Sequence, residues 1–274
     1  MKNKIKFRRI AGVIATIAIM GFAASGCNDD PNNTKNGGGT STFKAVSNIT
    51  GIPSGIPMFD MMVPDGEQLI HLQPDIIIVT GMSRYGGGDM LKSVADAGIC
   101  VIFIPSSMSI DAIKEDIRYI GAVIGAEAEG EALISEMETA IASVKAIGET
   151  ITDKKRVYFE LGAAPNLVSF GKGVFLNELL ELIGAENIFS DREEWFSLTD
   201  ETILFENPDV ILTSVNYIDD PVFEIMSRPG WSAVTAVSDN AVFIIDTDSS
   251  NRPSHNIIIA LNEMARAIYP DKYN

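Results

Sequence analysis

Two glutamates stand in matching surroundings at two places in the chain. Glu67-Gln68-Leu69-Ile70-His71-Leu72-Gln73-Pro74-Asp75-Ile76-Ile77-Ile78 recurs as Glu201-Thr202-Ile203-Leu204-Phe205-Glu206-Asn207-Pro208-Asp209-Val210-Ile211-Leu212, with Glu seven residues ahead of Pro in both. Carboxylates in equivalent settings can meet two copies of one cationic partner, because Arg–carboxylate pairing is charge-assisted and directional. Each can equally serve only its own helix, since Asp65-Gly66-Glu67 and Thr199-Asp200-Glu201 both read as helix starts, where acidic side chains are favoured. A second group of residues offers ligand chemistry. Arg84-Tyr85 sets a cation beside an aromatic in a Gly-rich loop, a pairing suited to a large planar or anionic ligand, although a surface Arg beside a packing Tyr accounts for it as well. Trp195 and Tyr217 offer aromatic faces, with core packing as the alternative, and Arg252 in Asn251-Arg252-Pro253 supplies a second cation.

Enzymatic chemistry finds little support. The chain has two histidines, His71 and His255, far apart in sequence, and none of the G-x-S-x-G, H-E-x-x-H, CxxC or dinucleotide-binding motifs. Gly86-Gly87-Gly88 is not followed by the Lys-Ser/Thr of a phosphate-binding loop, and a bare zinc or manganese site would need more His than the chain holds. A net charge of −16, from 37 acidic against 21 basic residues, opposes nucleic-acid binding. No resident cofactor or metal is expected.

The elements that would position these residues are those of an α/β protein with mainly parallel sheets. Ile76–Val79, Val101–Ile104, Val157–Phe159, Val210–Leu212 and Val242–Ile245 are short, nearly continuous apolar runs, as expected of strands covered by helices on both faces. The repeated phrase describes a short helix that stops before Pro, a turn at Asp and a buried strand. Its recurrence predicts two Rossmann-like lobes, over residues 43–126 and 150–274. Between them, residues 127–149 carry Leu133, Ile134, Met137, Ile141, Val144 and Ile147 on one stripe and predict a long bridging helix. Binding sites in such lobes gather beyond the carboxyl ends of the strands and, between two lobes, face each other across a cleft. That selects the loops bearing Arg84, Tyr85, Trp195, Tyr217 and Arg252.

The N-terminus reads as an export leader. Five Lys or Arg residues within 1–9 precede the apolar run 10–22, which ends in Ala23-Ala24-Ser25-Gly26-Cys27. This run is too short for a permanent membrane span. Small residues ahead of Cys27 resemble a bacterial lipobox, in which residues 1–26 are removed and Cys27 is lipidated; a plain signal peptide or an uncleaved anchor is the alternative. Residues 27–42 contain no large apolar side chain and read as a flexible tether. Cys100, in the run Ile99-Cys100-Val101-Ile102-Phe103-Ile104, reads as a buried inert thiol.

A lipoprotein leader, a tether and two α/β lobes joined by one long helix resemble the class III substrate-binding proteins of ABC importers, the iron-siderophore, haem and cobalamin family. Supporting phrases are Leu179-Leu180-Glu181-Leu182-Ile183-Gly184-Ala185-Glu186-Asn187-Ile188, Trp195 ahead of Glu201 and Asn207-Pro208-Asp209, and Arg228-Pro229-Gly230-Trp231 through Ala236-Val237 to Val242-Phe243-Ile244. The resemblance implies capture of a metal chelate and its delivery to a permease dimer, onto which Glu67 and Glu201 dock, by a protein lipid-anchored outside the cytoplasm at the cell surface or in the periplasm. It also implies ligand contacts in the segment after Glu160-Leu161-Gly162, at Asn166 and Phe170. Haem would take Tyr85 or Tyr217 as an axial ligand, a ferric siderophore would use Arg84 and Arg252, and a corrinoid would use the aromatic set Trp195, Tyr217, Phe170 and Tyr85. The family usually begins with a βα unit that is missing ahead of Phe43-Lys44-Ala45-Val46. An accessory or sensory surface lipoprotein that keeps the fold without transport is the competing expectation.

Overall fold

The computed structural model describes residues 57, 59, 64–80 and 91–273. Cys27, Arg84, Tyr85, the leader, the tether and the strand expected at Phe43 lie outside them. The chain divides into two compact units between Ser106 and Ser107.

In the first unit, helix α1 (Gly66–Leu72) leads to strand β1 (Ile76–Thr80), and helix α2 (Lys92–Asp96) to β2 (Cys100–Ile104). The two strands pair in parallel, with Ile76 opposite Cys100 and Thr80 opposite Ile104. Leu69, Ile77, Val79 and Val94 form the apolar centre. Asp65 caps α1: its Oδ1 accepts from the backbone N–H groups of Glu67 and Gln68, each at 3.0 Å. Cys100 is exposed, contrary to the expectation of a buried thiol. It is the first residue of β2, where the chain has only begun to enter the sheet; the burial in the run falls further on, at Ile104.

The second unit opens with two helices, α3 (Ile110–Ile124) and α4 (Glu127–Gly148). Its centre is a parallel sheet in the order β5-β3-β7-β8, formed by β3 (Arg156–Glu160), β5 (Glu186–Asn187), β7 (Val210–Thr213) and β8 (Val242–Ile244). An antiparallel ribbon, β4 (Leu167–Phe170) with β6 (Trp195–Leu198), follows β3. Helices α5 (Phe175–Ile183), α6 (Asp200–Glu206), α7 (Pro221–Met226), α8 (Thr235–Ser238), α9 (Thr247–Asn251) and α10 (Ile257–Ile268) complete the unit. The period of two along the strands sorts the core. Val157, Phe159, Val210 and Leu212 join the cluster containing α5 and α10, while Tyr158 and Ile211 join the cluster around Trp231. Both faces of the sheet are thus covered, which explains the continuous apolar runs.

The long helix forms as its stripe predicts: Ile134, Met137 and Val144 are buried, and the face with Glu127, Glu129, Glu131, Glu136, Glu138 and Lys145 is exposed. Its neighbours are α3, α5 and α10. Ile110 and Ile113 of α3 enter the core of the second unit, and the Ile110 N–H donates to the Glu178 carboxylate on α5 at 2.9 Å. The contact of α4 with α5 is backbone against backbone: a Cβ on Gly148 would stand 2.1 Å from the Leu182 carbonyl oxygen.

The repeat has a backbone counterpart. Helices α1 and α6 are each seven residues long and end in a left-handed residue, Gln73 (φ 48°, ψ 51°) and Asn207 (φ 45°, ψ 69°), followed by Pro and a parallel strand. Pro forbids continuation of the helix, and the left-handed residue turns the chain toward the sheet.

The carboxyl end of the chain locks three helices of the second unit. The Tyr273 hydroxyl donates to the Ile183 carbonyl at 2.8 Å, with the Val144 carbonyl 3.2 Å away, and the Tyr269 hydroxyl donates to the Gly184 carbonyl at 3.1 Å. Burial pushes the Tyr273 phenol up to about 12. A phenol whose folded value lies above its ordinary value near 10 stabilises the fold below pH 10 and loses that contribution as pH rises through about 12. Tyr273→Phe is therefore expected to cost about 1 kcal/mol at pH 7, a drop of roughly 2–4 °C in Tm. That gap should close as thermal unfolding is followed from pH 9 to pH 12.

Candidate functional site

The loops that leave the carboxyl ends of β3, β7 and β8 are tied together. The Ala163 N–H donates to the Tyr217 hydroxyl at 2.8 Å, and the Asn166 N–H donates to the Ala163 carbonyl at 3.1 Å, joining the loop after β3 to the loop after β7. The Ser214 hydroxyl donates to Asn251 Oδ1 at 2.9 Å, and the Thr247 hydroxyl donates to the Ser214 carbonyl at 2.8 Å, joining that loop to α9. Asn166, Tyr217 and Arg252 thus belong to one hydrogen-bonded group of loops at the sheet's carboxyl edge. Tyr217 is 63% exposed, so its ring is open to solvent while its hydroxyl is fixed. The Arg252 side chain is largely buried, its Nη2 lies 3.2 Å from the Asp248 carboxylate, and its Nε has no hydrogen-bond partner among the described residues. A guanidinium held this way keeps donor capacity for an anionic group.

Phe170 and Trp195 form a different grouping. They are partners in the β4–β6 register, three positions along the ribbon from Leu167, about 10 Å at 3.4 Å per residue. Phe170 has no exposed surface and sits in the core against Phe159, with ring centroids 5.6 Å apart; Trp195 packs edge-on against Phe170 at 5.8 Å and is half-buried. The buried Asn187 amide donates to the Phe170 carbonyl at 3.0 Å and fixes that end of β4. Phe170 therefore supports Trp195 from within the core. The aromatic wall read from the sequence is divided, with Tyr217 at the loop group and Trp195 on the ribbon.

Sequence reasoning passed over the group that anchors the loop after β3. Glu160, the last residue of β3, is fully buried, and Arg228 grips it with two parallel bonds of 2.7 and 2.8 Å. The same guanidinium bonds Glu224 at 3.0 and 2.5 Å and lies over the Trp231 ring, 4.5 Å from its centroid. Burial pushes the Glu160 carboxyl up, and the Arg228 charge and hydrogen bonds oppose that. A charged residue closing an apolar strand was the available signal, since such a residue is buried only with a partner.

The two repeated glutamates are both exposed, each at the second position of its helix. Capping of α1 falls to Asp65, and the Glu67 carboxylate has no hydrogen-bond partner among the described residues. In α6 the Thr199 hydroxyl and the N–H of Glu201 itself hold the Glu201 carboxyl below the usual carboxylate range. A groove of about 790 Å³ lies away from the loop group, between α3, α4 and α5; Lys114, Lys145, Glu138 and Glu149 give its rim both signs of charge. Among the described residues no three His, Cys, Asp or Glu side chains converge to hold a metal, and no helix is long and apolar enough to cross a membrane.

Residues 29–249 match the periplasmic binding protein family model, and the chain belongs to that family. It is 31% identical over 209 residues to an uncharacterized ABC transporter substrate-binding lipoprotein of Bacillus subtilis, covering 76% of this chain and 66% of the relative. It is 28% identical over 210 residues to a cobalamin-binding protein of Halobacterium salinarum, covering 74% of this chain and 55% of that one. The match thus spans a little over half to about two thirds of those relatives' lengths. A possible iron-binding (periplasmic solute-binding) protein of Staphylococcus epidermidis superposes with a TM-score of 0.70 at 28% identity, over 79% of this chain and 84% of that one.

Arg228→Ala would leave the Glu160 carboxylate buried and unpaired. Equilibrium urea unfolding should show a loss of about 3–5 kcal/mol. Arg228→Lys should recover only part of it, because an ammonium cannot reproduce the two-pronged grip.

Proposed function

We propose that the chain is the substrate-binding component of an ABC importer for a metal chelate, lipid-anchored through Cys27 outside the cytoplasm. The observation that carries this reading is the duplicated helix, left-handed turn, Pro and strand that presents one exposed carboxylate in each unit, Glu67 and Glu201. Two equivalent acids on repeated elements suit a partner built from two copies of one subunit, as a permease dimer is. Family membership, and relatives described as an ABC transporter substrate-binding lipoprotein and a cobalamin-binding protein, support the same assignment.

The ligand is read as a corrinoid, haem or ferric siderophore. Tyr217 offers an open aromatic face and Arg252 an underused guanidinium within one loop group, with Asn166 beside them. Trp195, on the β4–β6 ribbon, and Arg84 and Tyr85, outside the described residues, are retained as further candidate contacts. Large chelates combine flat apolar surface with peripheral amides or carboxylates, and this set of side chains answers both.

Titration with cyanocobalamin, haemin and ferric siderophores, followed by tryptophan fluorescence, tests the reading. One class should quench saturably with a dissociation constant on the order of 1 μM or below. The signal should persist in Trp231→Phe, because Trp231 is wholly buried beneath Arg228. Quenching by none of the three would overturn the chelate assignment. Glu67→Ala and Glu201→Ala should leave that affinity unchanged within about twofold while lowering uptake of the same chelate in whole cells.

A further inference from the structure

Exposed apolar side chains on a monomeric surface are ordinary when scattered, but one beside a docking group is informative. Phe205 is 86% exposed, more than any other large apolar side chain among the described residues. It lies four residues after Glu201 on α6, and positions i and i+4 share one helix face. Leu204, 38% exposed, adjoins it, and Ile203 is the residue that α6 buries. The duplicated helix α1 supplies a comparison. Leu69 matches Ile203 and is likewise buried, Glu67 matches Glu201 and is likewise exposed, but the position matching Phe205 holds the exposed His71. The repeat keeps the carboxylate and the buried anchor and differs at the fourth residue, where one unit presents a phenyl ring and the other an imidazole.

We propose that Phe205 is an apolar anchor in the surface that docks onto the membrane permease, seated beside the cationic pocket that receives Glu201, so that the second unit contributes more binding energy than the first. The inference rests on the reading of Glu67 and Glu201 as docking residues. Large aromatic side chains at the centre of an interface, flanked by a charged pair, are where binding energy concentrates. The partner's chemistry follows from the charge on the same helix. The Glu201 carboxyl is held below the usual carboxylate range, and Asp200 stands beside it. In a chain of net charge −16 this face is repelled by an anionic lipid surface and attracted by a cationic protein pocket.

The test places a photoreactive benzoylphenylalanine at position 205 of the full chain in cells of the organism that encodes it, and identifies the adduct by mass spectrometry. Affinity is then measured between the purified chain and the identified transporter in nanodiscs. The expected adduct is a transmembrane subunit of an ABC permease. Phe205→Ser should weaken association about tenfold or more, and His71→Ser no more than about twofold. Both variants should keep the parent's unfolding midpoint, since the altered side chains are exposed. If Glu201→Gln weakens association while Phe205→Ser changes it less than about twofold, the anchor is refuted and the docking reading stands. If neither variant matters, docking through α6 is itself wrong. Adducts with lipid, or loss in Phe205→Ser of binding to protein-free phosphatidylethanolamine–phosphatidylglycerol vesicles, would assign the ring to the bilayer and overturn the proposal.

Discussion

The second unit depends on one buried ion pair. Glu160 ends the strand from which the candidate site's first loop departs, and Arg228 lies two residues beyond α7, whose Ile225 packs with Tyr158 in the cluster around Trp231. Removing a carboxylate and a guanidinium from water costs several kcal/mol for each ion, and only near-ideal geometry with further hydrogen bonds offsets it. Here both prongs of the guanidinium meet the carboxylate, Glu224 takes two more of its donors, and Trp231 lies beneath the cation. With the Glu160 side chain so fixed, its backbone carbonyl can accept from the Ser214 N–H and set β3 and β7 level at their carboxyl ends. The loops bearing Asn166 and Tyr217 inherit their relative positions from that level edge.

Much of this architecture was legible in the residues. Strands covered on both faces read as continuous apolar runs, and Val157, Phe159, Val210 and Leu212 lie in the core as such runs imply. The long helix was marked by its three- and four-residue spacings, and Pro74 and Pro208 marked the ends of the duplicated helices. What escaped was pairing at a distance. Nothing local to Glu160 indicates a partner 68 residues away in Arg228. Phe170 reads as a ligand contact because the resemblance implies contacts in its segment, and sequence does not reveal that both ends of this four-residue strand are buried. Cys100 reads as buried because an apolar run does not show where the sheet begins.

The site was legible in part for the same reason. Tyr217 follows β7 by four residues and Arg252 caps α9, the helix after β8, so the rule that ligands gather beyond carboxyl ends selects segments that lie together at that edge of the sheet. Trp195 begins a strand of the antiparallel ribbon, whose direction relative to the central sheet no periodicity discloses. The repeated glutamates, by contrast, were fixed by register alone, because a duplicated phrase carries its exposure pattern with it.

That duplication shows what a repeat retains. Gln73 and Asn207 are different side chains, and neither is the glycine that would adopt the left-handed region without cost, yet both stand at almost the same backbone angles. The side chain differs at this position while the backbone conformation is shared. The element common to the two halves is therefore better described as a heritable bend than as a sequence motif, and a search for further copies of it would begin from conformation rather than from letters.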